Sequence, residues 1–264
     1  MAGTDGKSAR VRLFVAADLA AGGTVDLAPE QAHYVSRVMR LGAGDGLLLF
    51  NGRDGEWRAE VTDTAKARVR VRIDRKTREQ APEPGPWLAF APLKKTETVF
   101  LVEKATELGV ERLIPVATRR TASGRVNVQR LLANAVEAAE QCERLTVPTV
   151  DEPTTLSRLL ADWPRERALF VGDEQGGGKP LAEVLMASRP LGSDAAPAQG
   201  FLIGPEGGFE PEELDGLRDL PFVTGVGLGP RILRAETAAV AALACWQAIC
   251  GDGARPPRDV RSTN

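Results

Sequence analysis

Histidine and cysteine are nearly absent from this chain. Among 264 residues there is one histidine, His33, and there are three cysteines, Cys142, Cys245 and Cys250. A lone histidine argues against a His-rich metal site and against a Ser-His-Asp triad built elsewhere. An odd cysteine count without CxxC spacing argues against a disulfide framework and a zinc site, so no metal is expected. Aromatic residues make up 5% of the chain, which gives little support to recognition by stacking on exposed rings. No apolar run is long enough to span a bilayer, and the N-terminus lacks a signal-peptide pattern. The expectation is a cytoplasmic protein without membrane association. Excess positive charge is also missing, because the net charge is −2.

What charge there is divides unevenly. Residues 1–80 carry 14 Lys+Arg against 11 Asp+Glu, residues 81–150 carry 9 against 8, and residues 151–264 carry 11 against 17. The net values are +3, +1 and −6. This permits a basic N-terminal face for phosphates, and fits a solvated mixed surface equally well. A length of 264 residues suggests two domains, and the 43% apolar and 27% charged shares are those of an ordinary globular protein.

The two halves differ in periodicity. The first nine residues are small and polar and are expected to fray. From Val11 to Ile73 short apolar runs alternate with turn signals, Asn51-Gly52 and Asp54-Gly55 among them. The strict alternation over 67–73 predicts a half-buried strand with Arg68, Arg70 and Arg72 on its wet face. One helix is predicted near 30–39. Residues 10–80 therefore read as a small β-barrel. Three prolines in the six residues 81–86 mark a linker. Beyond it strands alternate with helices, which predicts a parallel sheet covered on both faces over 86–250. A helix over 97–108 should bury Val99, Val102, Ala105 and Leu108, and the last helix should run from Ala235 to Ile249. The polar, proline-bearing tail 251–264 is expected to be disordered.

Two glycine-rich segments stand out near the C-terminus: Phe201-Leu202-Ile203-Gly204-Pro205-Glu206-Gly207-Gly208-Phe209, and Val226-Gly227-Leu228-Gly229-Pro230-Arg231-Ile232-Leu233-Arg234-Ala235-Glu236-Thr237-Ala238. Each is an apolar strand-like run, then glycines and a charge, then a helix. Such loops at the carboxyl ends of strands can form one pocket. The stretch Gly225-Val226-Gly227-Leu228-Gly229 also fits GxGxG, but too little chain follows for a Rossmann site. Gly176-Gly177-Gly178-Lys179-Pro180 misses the phosphate-loop pattern at both ends and reads as a flexible surface turn.

The GPEGGF and LGPRILRAETA signatures closely resemble those of the ribosomal RNA small subunit methyltransferase E family, within the SPOUT superfamily. The resemblance continues upstream in His33-Tyr34-Val35-Ser36-Arg37-Val38-Met39-Arg40-Leu41, in Glu103-Lys104-Ala105-Thr106-Glu107-Leu108-Gly109, and in Glu137-Ala138-Ala139-Glu140-Gln141-Cys142. It covers most of the chain in order. It departs at Leu131, where many members carry Trp, at Asn134, where they carry an apolar residue, and at Thr121, where serine is common.

The resemblance implies an α/β protein with an N-terminal PUA-like β-barrel and a C-terminal SPOUT, trefoil-knotted parallel-sheet methyltransferase domain. It implies an enzyme that uses S-adenosylmethionine to methylate uracil N3 in 16S rRNA, near the decoding centre, as a homodimer. Other readings are a SPOUT enzyme acting on another RNA nucleotide and a non-catalytic RNA-binding module. The cofactor would lie against backbone groups of Ile203, Gly204, Pro205, Glu206, Gly207, Gly208, Leu228 and Gly229, with Ile232 and Leu233 as apolar walls. Arg234 is the candidate catalytic residue, because a two-donor fork suits the charge that develops on the uracil oxygens. Arg231 is assigned to RNA. Arg37 and Arg40, three apart on the early helix, are assigned to phosphates. For Arg231 and Arg234, ion pairing with Glu206 or Glu236 is the structural alternative.

Overall fold

The computed structural model describes residues 11–64, 68–121, 126–173, 177–189, 197–253 and 255. The first nine residues, most of the tail and Gly176 lie outside that set. The chain falls into two compact units. One comprises residues 1–82, 139–147 and 257–264, the other 83–138 and 148–256.

The first unit contains β1 (Arg12–Phe14), β2 (Thr24–Asp26), α1 (Pro29–His33), a π-helical turn (Tyr34–Val38), β3 (Gly46–Phe50), β4 (Glu56–Asp63) and β5 (Arg70–Arg78). Its five strands lie in the order β1-β3-β4-β5-β2, with only the β1/β3 pair parallel. Alternation dictates the core: Val69, Val71 and Ile73 point inward with Leu47, Leu49, Val61, Ala32 and Val35. On the wet face Arg70 pairs with Asp26 at 2.7 Å and Arg72 with Glu60 at 3.4 Å. The Asn51-Gly52 turn forms as its residues require. Asn51 Oδ1 accepts from the Arg53 and Asp54 amides, and Gly55, at φ 85°, lies where a Cβ would stand 2.2 Å from the Arg78 carbonyl.

Among the described residues of this unit one carboxylate is fully buried. Glu56 takes Arg12 Nε at 2.7 Å and Arg78 at 3.2 Å, and Thr77 donates to it at 3.0 Å. Burial alone pushes its carboxyl upward. The Arg12 hydrogen bond and the Arg78 and Arg12 charges outweigh that and hold it below the ordinary value. Arg12 also donates to the carbonyls of Ala139 and Arg144, Arg78 donates to that of Glu143, and Glu140 accepts from the Phe14 amide. Residues 139–147 are thereby tied into a unit from which the linear sequence separates them.

The second unit holds β6 (Trp87–Phe90), α2 (Lys95–Glu107), β7 (Arg112–Ala117), α3 (Val128–Cys142, its end in the first unit), β8 (Thr149–Val150), β9 (Thr154–Thr155), α4 (Leu156–Asp162), β10 (Ala168–Gly172), β11 (Lys179–Pro180), α5 (Leu181–Ser188), β12 (Gln199–Ile203), α6 (Pro211–Arg218), β13 (Val223–Gly227) and α7 (Ala235–Ile249). The main sheet runs β11-β13-β10-β12-β6-β7-β8, and every pairing in it is parallel. Leu202, Val171, Leu169, Ala89 and Ile114 face a core that contains Leu156, Leu159, Leu214 and Leu217 of α4 and α6. Helix α7 packs against α2, α5 and β12, and its buried Trp246 donates to Gln199 at 2.7 Å.

Helix α7 has the limits its sequence predicts. Helix α2 is rotated from the predicted face. It buries Thr98, Leu101, Val102, Ala105 and Thr106, while Val99 and Leu108 are only half-buried. Two threonines belong to the inward face because their hydroxyls find backbone partners: Thr98 donates to Leu93 at 3.0 Å and Thr106 to Val102 at 2.8 Å. The tail expectation fails at its start. Gly251 and Gly253 donate to the Trp246 and Gln247 carbonyls, so residues 251–253 close the end of α7.

Candidate active site

The parallel sheet brings the two glycine-rich loops to its carboxyl edge, but not as neighbours. Strand β10 lies between β12 and β13. Val171 pairs with Leu202 on one side and Gly172 with Val226 on the other, so the end of β10 stands between the loops. Asp173 follows directly. It is buried, its amide donates to Val226 at 3.0 Å, and its carboxylate holds Arg218 of α6 at 2.9 Å. That hydrogen bond raises the Arg218 guanidinium above its ordinary value. The sequence reading missed Asp173. The signal was its place between an apolar strand and Gly176-Gly177-Gly178.

The turn reading of that run fails at Gly178. A Cβ there would lie 2.5 Å from the Val226 backbone, and β11 pairs with β13 directly after it. Gly178 therefore allows two backbones to touch. The GxGxG stretch is not a Rossmann loop, as the short chain after it implied, since Gly225 and Gly227 lie inside β13 and not in a phosphate-binding loop.

In the first loop the amide of Gly208, at φ 70°, donates to Pro205 at 2.9 Å. Ile203 and Pro205 are buried, Gly204 and Gly208 half-buried, Glu206 and Gly207 exposed. Gly204 makes room for the protein itself: a Cβ would stand 2.8 Å from the ring of Phe209, which is fully buried. The absent side chain at Gly204 thus serves internal packing, whereas the assignment of this position to the cofactor concerns its backbone groups. Beyond Phe209, Glu210 and Glu213 form a capping box with Pro211 in the first turn of α6.

The second loop spans 228–234 without regular structure. Leu228 and Leu233 are half-buried, while Ile232 is 88% exposed. Gly229 has φ 104°, and a Cβ built on it meets nothing within 4 Å. Its missing side chain faces open space, so a backbone cradle fits here. Helix α7 starts at Ala235, as its sequence predicts, which makes Arg234 its N-cap and leaves Arg231 in the loop just before it. Both arginines are exposed. Neither side chain pairs with Glu206, Glu236 or any other described residue. Two unpaired cations beside a helix N-terminus are available to an anionic or electron-rich ligand.

A third segment braces the first loop. Arg120, after β7, donates to the Gly207 carbonyl at 2.9 Å and grips both oxygens of Glu210 at 2.9 and 3.0 Å. The hydrogen bond from Arg120 holds the Glu210 carboxyl below its ordinary value. Arg119 bonds Glu212 through its side chain and Glu213 through its amide. A cavity of about 550 Å³ opens elsewhere, lined by Trp87, Arg112, Asp151 and Trp163. Trp87 and Arg112 begin their strands, so this cavity lies at the opposite edge of the sheet from the glycine loops.

In the first unit Arg37 lies on the π-helical turn and Arg40 beyond it at φ 56°. They do not share one face of a regular helix, as their spacing suggested. Both are exposed.

Two family models match. Residues 82–247 fit an RNA methyltransferase domain and residues 27–74 an RNA methyltransferase PUA domain. The fold and site thus define an RNA methyltransferase, a parallel-sheet catalytic domain joined to a PUA domain. A ribosomal RNA small subunit methyltransferase E from Rickettsia conorii is 34% identical over 88% of this chain and 93% of its own length. The Bacillus subtilis protein of that name is 29% identical over 83% and 88%. The chain belongs to the ribosomal RNA small subunit methyltransferase E family. The crystal structure of the Neisseria gonorrhoeae member bound to S-adenosyl methionine superposes with a TM-score of 0.78 at 28% identity, covering 92% of this chain and 98% of that one. A Legionella pneumophila methyltransferase with bound cofactor gives 0.77 at 28% identity, covering 90% and 97%.

Proposed function

We propose that this protein transfers a methyl group from S-adenosylmethionine to N3 of a uridine in 16S rRNA. Family membership and the cofactor-bound relatives support the chemistry. The observation that carries it to this chain is the second loop, where Gly229 opens onto free space beside the unpaired Arg234.

The backbone of Ile203, Gly204, Pro205, Glu206, Gly207 and Gly208, with Leu228, Gly229, Ile232 and Leu233, holds the cofactor. When bound, it supplies an electrophilic methyl carbon. In the transfer uracil N3 would bond to that carbon as the carbon–sulfur bond breaks, leaving S-adenosylhomocysteine, and the N3 proton would pass to solvent. The negative charge spreads over the two uracil oxygens, where the Arg234 fork stabilises it. The rest is positioning for in-line attack. Arg231 holds RNA beside the loop, and Arg37 and Arg40 grip phosphates from the PUA unit. The protein acts in the cytoplasm as a homodimer, a state with which the 88% exposure of Ile232 among the described residues accords. The trefoil threading of the superfamily accords with the return of α7 from β13, across β10, to α2 and β12.

Purified protein incubated with undermethylated small subunits and labelled cofactor tests the proposal. Nucleoside mass spectrometry should find the label in N3-methyluridine. Label in another nucleoside would move the target, and no label in any would refute the activity.

A further inference from the structure

The chain has one tyrosine, Tyr34, and the fold does not bury it. It is 41% exposed, at the start of the π-helical turn. Val38 and Met39 are exposed beside it at 59% and 36%. The inner side of the same turn is closed, with Ala32 and Val35 at 0%. This stretch therefore has a complete core face and a second apolar face turned to water, which folding alone does not require.

The cations around it are also unused by the fold. Elsewhere in this unit Arg12, Arg53, Arg70, Arg72 and Arg78 pair with carboxylates, whereas Arg58, Arg68 and Arg75 do not pair with a described residue. His33, Arg37 and Arg40 form no side-chain hydrogen bond or ion pair with a described residue. Arg40 also occupies φ 56°, where glycine is favoured and a side chain costs energy. An arginine in a left-handed conformation, next to an exposed ring and an unpaired neighbour, is an arrangement that a ligand would account for.

We propose that Tyr34, with Val38 and Met39, is a base-stacking platform for single-stranded RNA, flanked by phosphate contacts from Arg37 and Arg40. A flat ring, an apolar floor and unpaired cations suit a splayed nucleotide, because every base has a π-face and every linkage a charge. The inference rests on the reading of this chain as an rRNA methyltransferase and adds the base-contacting element on the PUA unit.

A single tyrosine makes the test direct. Full-length protein carrying ring-labelled tyrosine has one tyrosine spin system in its NMR spectrum. A short uridine-rich single-stranded oligoribonucleotide should shift it upfield. Tyr34→Ala should weaken binding of that RNA by roughly 5- to 150-fold, with cofactor affinity unchanged. Tyr34→Phe should stay within about twofold of wild type, because the ring is kept. Arg40→Gly should weaken RNA binding and leave the protein at least as stable, since glycine relaxes the backbone. An unmoved tyrosine signal at saturating RNA, or wild-type affinity in Tyr34→Ala, would overturn the proposal. So would a Tyr34→Ala variant that loses self-association and keeps its RNA affinity, which would assign the face to a second copy. If the signal shifts and the wild-type protein fails to methylate rRNA, the platform stands and the methyltransferase reading falls.

Discussion

At the scale of single residues, glycines that look alike in sequence do different work. Gly204 accommodates the Phe209 ring, whereas Gly229 faces open space in a left-handed conformation. Gly204→Ala should therefore overpack the core and lower stability by about 1–3 kcal/mol, read as a drop in melting temperature. Gly229→Val should lower cofactor affinity in calorimetry and add only the strain of its backbone, about 1–2 kcal/mol. If Gly204→Ala melts normally and Gly229→Val binds normally, the division between the two is wrong. Arg234 belongs to the same scale. Its lack of a partner means that Arg234→Ala should leave the melting curve unchanged and slow single-turnover methylation by roughly 10²–10³. Arg234→Lys should restore part of that rate. A normal rate would remove it from the reaction.

Elements decide whether those residues stay in place. The GPEGG loop is held from the segment after β7, by Arg120 on the Gly207 carbonyl and the Glu210 carboxylate. Arg120→Ala should weaken cofactor binding by about tenfold while the rate at saturating cofactor changes little, and Arg120→Lys should recover only part of it. Equal cofactor affinities in all three proteins would show the clamp to be idle. This brace was not legible in the sequence, because its partners lie 87 and 90 positions away. Local pattern carried the rest: the alternation at Val69, Val71 and Ile73, the Asn51-Gly52 turn, and helix α7. It misjudged α2, where Thr98 and Thr106 are polar by type yet satisfied by backbone carbonyls. It overlooked α4 and α5, whose seven and eight residues are too short for a clear helical period.

Across the whole molecule, the proline-rich linker marks where the second domain begins and says nothing of residues 139–147, which return to the first unit. That return depends on Arg12 and its buried partner Glu56. Glu56→Gln should cost about 3–5 kcal/mol at neutral pH, because it leaves Arg12 buried without its counter-charge. The Glu56 carboxyl is depressed in the folded protein, so its contribution is complete above the unfolded value, near 4.3, and is lost as pH falls through the folded one. The stability gap between wild type and Glu56→Gln should thus narrow on acidification, as followed by denaturant melts. A gap independent of pH would mean that the charge of Glu56 is not what stabilises the unit.

The loops and the family together give one claim that a cell can test, that this chain methylates uridine N3 in 16S rRNA. The most direct measurement is a map of modified nucleosides in 16S rRNA from cells lacking the protein, compared with the same cells given back the wild-type chain or Arg234→Ala. The account predicts that a single N3-methyluridine disappears, returns with the wild-type chain, and stays largely absent with the variant. An unchanged N3-methyluridine in cells without the protein would contradict it.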